Sequence, residues 1–297
     1  MRLVFQKDLF EMKVSCGIVT YNPDLSVLKK SIITVLDQVE VLIVVDNYSQ
    51  NRELIKLFEK ELVNIKTCFI YNEENRGIAS ALNQILKVSK EEECNWLLTL
   101  DQDSICKHDL VKHYKKICSN DYSIGQLTCR ISDRSNGILN TTVIDEKNEY
   151  EVIDSCITSG AFNNVSAVDS VGGFDEELFI DGVDIDLSIR LSRNGYKIGC
   201  IRYEGMIHTI GAQDKHNIIN EKLKTFYHSP LRNYYARRNF IIIAKRYYKG
   251  FSCLKLIAKQ IIIGFGVVII QDQKRQRLKY NVKGIIDGLR NITSIQR

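Results

Sequence analysis

No two of the nine cysteines in this 297-residue sequence are spaced as CxxC. A disulfide framework and a cysteine-based zinc site are therefore not expected, and a reducing cytosol fits best. No N-terminal segment combines a basic start, an apolar run and a small-residue cleavage site, so we expect no secretion signal. Since 44% of the residues are hydrophobic and only 26% are charged, the composition argues against disorder and allows one sizeable core or two small ones.

The familiar phosphate-binding motifs are also missing. The sequence has no GxxxxGK[ST], and no GxGxxG follows the first predicted strand. A diphosphate bound by this chain would therefore need another source of positive charge. A divalent cation held by carboxylates can supply it.

Four short apolar runs, rich in β-branched and aromatic residues, predict strands in the first third of the chain. They are Val14 to Thr20, Val41 to Val45, Thr67 to Tyr71 and Trp96 to Leu100. Apolar residues at spacings of three and four predict helices between them, the first capped by Asp24 or Ser26 and the second by Asn51. The order βαβαβαβ predicts a mainly parallel sheet covered by helices on both faces.

Each predicted strand runs into a polar loop, in the order YNPD, DNYSQN, NEENRG and DQDS. Ordinary turn chemistry explains any one of these loops. Ligands of open α/β sheets bind outside the carboxyl ends of the strands, however, so four polar loops on one edge predict a site. In DQDS, Asp101 and Asp103 are two residues apart in an extended segment and can face one cation together.

A second acidic group, formed by Asp181, Asp184 and Asp186, precedes a predicted helix that ends at Asn194-Gly195. Helix capping and the helix dipole explain one or two of these aspartates. A role as general base is the other interpretation for one of them.

In their order along the chain, these motifs resemble those of the family-2 inverting glycosyltransferases of the GT-A fold, and especially the bacterial rhamnosyltransferases. The resemblance covers about Met12 to Asn239. The matching pieces are VTYNP, VVDNYS, NRGIASALN, LDQD, TSGAF, VGGFDEELFIDGVDIDLSIR, HTIG and YYARRN. The resemblance implies a Rossmann-like, mixed and mainly parallel sheet and transfer of L-rhamnose from dTDP-L-rhamnose to a glycan; the membrane attachment predicted below for the C-terminal region suits a lipid-linked glycan acceptor. A UDP-sugar is the alternative donor.

The resemblance also implies roles for individual residues near the donor. Thr20, Tyr21 and Asn22 would line the base pocket, Asp46 would accept from the pyrimidine ring nitrogen, Asn75, Arg76 and Gly77 would close over the nucleotide, and Asp101 would lie by the ribose and the metal. Asp103 would bind Mg²⁺ or Mn²⁺ directly, and His208 matches a position that adds a ligand or a phosphate contact in some relatives. For His208, an ordinary surface or core role is the other interpretation.

The resemblance places the acceptor chemistry in two further motifs. Ser159 and Gly160 of TSGAF would line the acceptor pocket. Asp184 aligns with the second residue of the family's Glu-Asp pair, which is the catalytic base. The first residue of that pair is Val183 here, so the role falls on one carboxylate, with Asp181 as the fallback candidate.

The C-terminal part of the chain is strongly basic. From Lys222 to Arg297 there are 17 Lys and Arg against 2 Asp and Glu, a balance of +15, which leaves −10 for residues 1–221. We therefore predict a catalytic domain over 1–221 and a basic, aromatic, helical extension over 222–297 that attaches peripherally to the anionic inner face of the cell membrane. Nucleic acid is a weaker interpretation, since apolar runs separate the basic residues.

The longest uncharged apolar stretch in this extension, Ile261 to Ile270, has ten residues, against roughly 20 for a membrane-spanning helix. We therefore expect no transmembrane helix. The helical spacing of the preceding apolar residues, flanked by Lys255 and Lys259, is typical of helices in the membrane interface. A buried helix packed on the catalytic domain is the alternative.

Two other functions remain open. LLTLDQDSI also looks like the start of the aspartate-nucleophile phosphatases, in which Asp101 would attack a phosphoryl group and Asp103 would act as acid and base. Three predicted βα units precede the motif here, however, and no convincing lysine motif follows it. The other possibility is a non-catalytic partner that binds nucleotide sugars.

Overall fold

One mixed sheet organises the chain in the computed structural model, which describes residues 12–62, 66–133, 137–138, 149–208 and 229–293. Its strand order is β3-β2-β1-β4-β9-β6-β10-β5, with β7 beside β6 and β8 beside β10. The strands are β1 (Val14–Thr20), β2 (Val41–Asp46), β3 (Thr67–Tyr71), β4 (Trp96–Asp101), β5 (Ser104–Cys106), β6 (Ile124–Asp133), β7 (Gly137–Ile138), β8 (Tyr150–Val152), β9 (Ala161–Asn164) and β10 (Lys197–His208).

The first four strands are parallel, as their apolar sequences predicted. β1 lies between β2 and β4, and β3 pairs with the outer side of β2. The register sets Thr20 opposite Asp46 and Val19 opposite Asp101. The polar loops that follow these strands therefore meet at one edge of the sheet. β9 pairs with β4 in the antiparallel direction, which makes the sheet mixed.

The helices are α1 (Leu25–Leu36), α2 (Arg52–Glu59), α3 (Gly77–Glu91), α4 (Leu110–Cys118), α5 (Val165–Ser170), α6 (Val183–Arg193), α7 (Pro230–Tyr247), α8 (Gly250–Ile270) and α9 (Lys274–Arg290). Asp24 caps α1 as predicted, accepting from the amides of Ser26 and Val27. The capping prediction for Asn51 is wrong, because its side chain makes no capping bond and donates instead to the carbonyl of Pro23 at 2.8 Å. All nine cysteines are free.

The chain divides into two compact units. The first comprises Met1–Phe174 and Leu187–Gly211, and the second comprises Asp175–Asp186 and Ala212–Arg297. The predicted boundary at residue 221 lies outside the described residues. The segment Asp175–Asp186 groups with the C-terminal helices, although it lies far from them in sequence.

Within the second unit, α8 differs from what the sequence led us to expect. It runs for 21 residues and is long and apolar enough to cross a membrane by length and composition alone. The sequence analysis underestimated the length of this apolar helix, because Lys255 and Lys259 interrupt the apolar run without ending the helix. Only 11% of its most apolar 18-residue window is buried, so α8 is not the buried helix of the alternative interpretation.

Candidate functional site

Asp46, at the end of β2, is the most deeply enclosed charged residue of the strand-end loops, with 1% of its surface exposed. Its Oδ1 accepts from Thr20 Oγ1 at 3.2 Å, and its Oδ2 accepts from the Ser49 amide at 3.1 Å and from Arg52 Nε at 3.2 Å. A buried carboxylate needs such partners because desolvation penalises its charge. The structure thus brings the predicted site residues Thr20 and Asp46 into contact and adds Arg52, which the sequence analysis missed; their contact with a nucleotide stays a prediction.

Aromatic rings surround this ion pair. The guanidinium of Arg52 lies 5.6 Å from the ring centroid of Tyr48 and 5.8 Å from that of Tyr71. The rings of Tyr21 and Tyr48 remain about half exposed, at 50% and 54%. An exposed tyrosine ring offers a flat apolar face on which a nucleobase can stack. Tyr48 was not among the predicted residues, although it stands in the VVDNYS motif that indicated the site.

Asn47 links the loop after β2 to the loop after β3. Its Nδ2 donates to Asn75 Oδ1 at 3.0 Å and to the carbonyl of Gly77 at 3.1 Å, while its Oδ1 accepts from the Arg76 amide at 3.0 Å. The predicted trio of Asn75, Arg76 and Gly77 is therefore held by one buried asparagine that the sequence analysis did not single out. The side chain of Arg76 is exposed, and Gly77 adopts a φ of +80° that favours glycine.

The loop after β1 is tied to both neighbouring loops. The amide of Tyr21 donates to Gln102 Oε1 at 2.9 Å, and the amide of Asn22 donates to Ser49 Oγ at 2.8 Å. The side chain of Asn22 accepts in turn from the Gln50 amide at 2.7 Å. Gln102, which separates the two aspartates of the DQD motif, therefore ties this loop to the turn that follows β4.

Asp101 ends β4, and Asp103 lies in the turn before β5; both side chains are partly exposed. The prediction that the two aspartates share one extended segment is therefore wrong, because the chain turns at Gln102 and Asp103. Ser159 stabilises this turn through hydrogen bonds. Its Oγ accepts from the Asp101 amide at 3.3 Å and lies 2.5 Å from Ser104 Oγ. Because Ser159 is only 2% exposed, its hydroxyl is committed to the turn.

Gly160, the second residue predicted for an acceptor pocket, also has a packing role. Its carbonyl accepts from the hydroxyl of Tyr114 at 2.7 Å. A Cβ at this position would come within 2.3 Å of Met206 Sδ, and φ is +80°, so a side chain is not tolerated here. The structure gives these two residues a supporting place behind the turn, and their contact with an acceptor stays a prediction.

Asp101 and Asp103 are the residues that would hold the predicted divalent cation. Mg²⁺ is commonly bound through one or two carboxylates together with substrate phosphates, and Asp101 and Asp103 supply two. The backbone of His208 in β10 pairs with Ser104, the residue after Asp103; its side chain lies outside the described part of the structure. Among the side chains described, no group of three or more His, Cys, Asp or Glu residues forms a complete metal cage.

In the second unit, Asp184 lies in the first turn of α6. Burial raises the pKa of this carboxyl, and the nearby charge of Asp181 acts in the same direction, whereas the hydrogen bond from the Ile185 amide and the charge of Arg232 oppose the rise. Part of the side chain remains accessible to solvent. A reachable carboxylate with a raised pKa is suited to accept a proton.

The other two aspartates of the cluster are engaged by α7. Asp181 accepts from Arg232 Nε at 3.1 and 3.2 Å and from Nη2 at 3.0 Å. Asp186 is fully buried and accepts from the hydroxyl of Tyr247 at 2.6 Å. Asp181 and Asp186 are thus bound by side chains of α7, whereas the role of Asp184 as base, with Asp181 as the fallback, stays a prediction.

Comparison with known proteins gives a consistent result. Residues 15–169 match the family described as Glycosyl transferase family 2. The dTDP-rhamnosyl transferase RfbF of Shigella flexneri is 28% identical over 291 residues, covering 93% of this chain and 95% of RfbF. Among solved structures, Staphylococcus aureus TarS 1-349 in complex with UDP-GlcNAc superposes with a TM-score of 0.60 at 15% identity, over 93% of this chain and 81% of that one. The mannosyltransferase PcManGT from Pyrobaculum calidifontis, in complex with GDP-Man and Mn²⁺, gives a TM-score of 0.60 at 12% identity, over 98% and 95%. These likenesses show the GT-A fold.

Proposed function

This chain belongs to glycosyl transferase family 2, and from that premise we propose that it transfers L-rhamnose from dTDP-L-rhamnose, with inversion, to a lipid-linked precursor of a cell-surface polysaccharide. That it is a glycosyltransferase follows from the family. The observation that supports the donor is the similarity to a dTDP-rhamnosyl transferase over nearly the full length of both chains. Membership in this family sets aside the aspartate-nucleophile phosphatase.

We assign the nucleotide to the strand-end loops of the first unit. The exposed rings of Tyr21 and Tyr48 would stack on the thymine, and Asp46 would accept from the ring N–H through a lone pair left by its present partners, since a carboxylate has about four acceptor sites. Arg76, exposed at the start of α3, would contact the diphosphate. The network around Asn47 supports this assignment because it orders the loops before any ligand binds, which lowers the entropy lost on binding.

Asp101 and Asp103 would hold Mg²⁺ or Mn²⁺ together with the diphosphate oxygens. When bound, such an ion neutralises the negative charge that grows on the dTDP leaving group. The hydrogen bond from the Asp101 amide to Ser159 and the bond of Gln102 to the Tyr21 amide support this assignment because they order the turn that carries the two carboxylates. His208 is the candidate for a further ligand.

Asp184 would act as the general base. Its carboxylate would take the proton of the attacking acceptor hydroxyl while the bond from the anomeric carbon to dTDP breaks, so one in-line displacement inverts the configuration. The raised pKa of Asp184 supports this role because it makes the carboxylate a stronger proton acceptor. Transfer by this route needs no covalent enzyme intermediate.

We further propose that the enzyme works at the inner face of the cell membrane and is attached through its C-terminal helices. The exposed face of α8 carries large apolar side chains, among them Phe251 at 80%, Ile262 at 71% and Ile269 at 73% exposure. Lys255 and Lys259 are exposed along one side of this face. An apolar stripe with a basic edge is typical of helices that lie in the interface of an anionic membrane, where a lipid-linked acceptor would be found.

A donor screen tests the proposal. The protein is mixed with dTDP-L-rhamnose, UDP-sugars and GDP-sugars in the presence of Mg²⁺ or Mn²⁺, and the melting temperature and the released nucleotide are measured. A donor at 100 times its Kd stabilises by about 2.7 kcal/mol, so we expect the largest shift and turnover with dTDP-L-rhamnose. Stabilisation and turnover with a UDP-sugar instead would favour the alternative donor. Tight binding without turnover of any donor would indicate a non-catalytic partner.

A further inference from the structure

The segment that leads into the proposed base has an unusual backbone. Phe179, Asp181 and Gly182 have φ values of +61°, +65° and +83°. Left-handed φ values are uncommon for residues other than glycine and cost free energy that the surrounding structure must offset. Two such residues within three positions, directly before the helix that carries Asp184, therefore require support from outside the segment.

Asn239 on α7 provides that support. It is fully buried, and its Nδ2 lies 2.6 Å from the carbonyl oxygen of Leu178, 2.7 Å from that of Ile180 and 2.8 Å from that of Asp181. An asparagine NH₂ group has two hydrogens, so the three carbonyls converge on one donor group. This group holds both sides of the left-handed turn.

Arg238 fixes the orientation of that amide. Its Nε donates to Asn239 Oδ1 at 2.8 Å, and its Nη2 donates to the carbonyl of Glu177 at 2.6 Å. The guanidinium is fully buried and lies 4.9 Å from the ring centroid of Tyr235. Since the side-chain oxygen of Asn239 is bound to a cation, its NH₂ must point toward the carbonyls.

Other residues on the same face of α7 contact the same segment. Arg232 binds Asp181, the ring of Tyr235 stacks on Phe179 at 4.8 Å, and a Cβ on Gly182 would come within 2.9 Å of Ile243 Cδ1. Spacings of three and four residues from Arg232 to Ile243 place these side chains in one row along the helix. Together these contacts cover the segment from Leu178 to Gly182, directly before α6.

We infer that Asn239 is a positioning residue for the transfer reaction, which acts through the backbone carbonyls of residues 178–181 to set the place of Asp184. This inference rests on the proposed function, since it takes Asp184 as the base. It gives α7 a positioning role in the transfer reaction, besides any part it has in membrane attachment. Arg238 and Asn239 of the YYARRN motif thereby acquire a role that the sequence analysis did not assign.

The test compares Asn239→Ala with Asn233→Ala. Asn233 is a matched control, because it is also a buried asparagine of α7 and its Nδ2 has no hydrogen-bond partner. Asn239→Ala is expected to lower kcat by about 10- to 100-fold, since small displacements of catalytic groups have costs of this size. The donor KM and the Kd for dTDP should stay within about twofold in both variants. A folded Asn239→Ala protein with the kcat of the control would overturn the inference.

Two further measurements separate the possible failures. Hydrogen exchange of residues 176–186 reads the segment without using activity, and we expect faster exchange there in Asn239→Ala but not in Asn233→Ala; equal protection in both would contradict the inference. If Asn239→Ala does not fold, Asn239→Ser, which keeps one donor, undergoes the same comparison. Asp184→Asn tests the premise. If this variant still transfers sugar, the proposed base is wrong. If it loses transfer while Asn239→Ala remains fully active, only the positioning role is wrong.

Discussion

The proposed contact of α8 with a membrane can be tested by changing two of its exposed side chains. Ile262 and Ile269 are 71% and 73% exposed and seven residues apart, so they lie on the same side of the helix. Burying an isoleucine side chain is worth about 1.5 to 3 kcal/mol, and serine recovers almost none of it. About 70% of each side chain is available to a bilayer, so replacing both residues by serine should cost about 2 to 4 kcal/mol of membrane binding.

That loss lowers the membrane partition coefficient by about 30- to 1000-fold. The assay is co-sedimentation with vesicles that contain anionic lipid, at two salt concentrations. The matched control replaces Leu54 and Leu57, which are 50% and 56% exposed on α2, by serine. This control pair should bind like the unchanged protein, and neither pair should alter the melting temperature much, since exposed substitutions usually change stability by within about 0.5 kcal/mol.

Equal sedimentation of the α8 variant and the control pair would refute the proposed lipid contact. An alkaline carbonate wash of native membranes then distinguishes two modes of attachment. Release by the wash is expected for a helix that lies in the interface. Retention of the protein in the membranes would indicate that α8 spans the bilayer.

Asp184→Asn should reduce the rate of sugar transfer by at least about 100-fold, because a general base contributes that much or more. Calorimetry should find that the Kd for dTDP stays within a few-fold of the original value. Strong residual transfer would show that another residue is the base. Arg232→Met removes a positive charge that lowers the pKa of Asp184 and leaves the charge of Asp181, which raises it, so the acid limb of the kcat profile should move to higher pH. A shift to lower pH, or none, would contradict this electrostatic assignment. Asp103→Asn should abolish the rise in melting temperature that Mn²⁺ and dTDP produce together, and an undiminished rise would remove Asp103 from the proposed metal site.

The strands and their direction could be predicted from the sequence because parallel strands covered by helices give continuous apolar runs; β1, β2 and β4 are almost entirely buried, and the outer strand β3 is half-buried. Val14–Thr20 and Thr67–Tyr71 have the same bounds in prediction and structure. The predicted site at the carboxyl ends followed from this topology. The residues that organise the site could not be predicted in the same way, since Asn47 and Arg52 act through partners that lie on other loops.

The three aspartates before α6 show where sequence reasoning stops. Asp181, Asp184 and Asp186 have the same chemistry and lie within six residues, so their spacing alone does not distinguish a cap, an ion pair and a base. The partners that distinguish them, Arg232 and Tyr247, come from a helix 51 and 61 residues further along the chain. The resemblance to a family ranked Asp184 first, and the contacts of its neighbours give a physical reason for that order.

The second unit also changes how the basic C-terminal charge should be read. Several of its cations are used inside the unit: Arg232 pairs with Asp181, Arg246 with Asp175 and Glu177, and Arg277 with Asp272. Arg238 is buried among backbone carbonyls. The balance of +15 therefore overstates the charge that can meet a lipid surface.

The cations that remain exposed on α8 and α9 include Lys255, Lys259, Arg275 and Lys279. Each lysine or arginine near an anionic membrane contributes about 1 kcal/mol. This smaller set makes the electrostatic share of binding comparable to the apolar share estimated for Ile262 and Ile269. Salt should therefore weaken attachment without abolishing it, because screening acts on the charges and leaves the apolar contact in place.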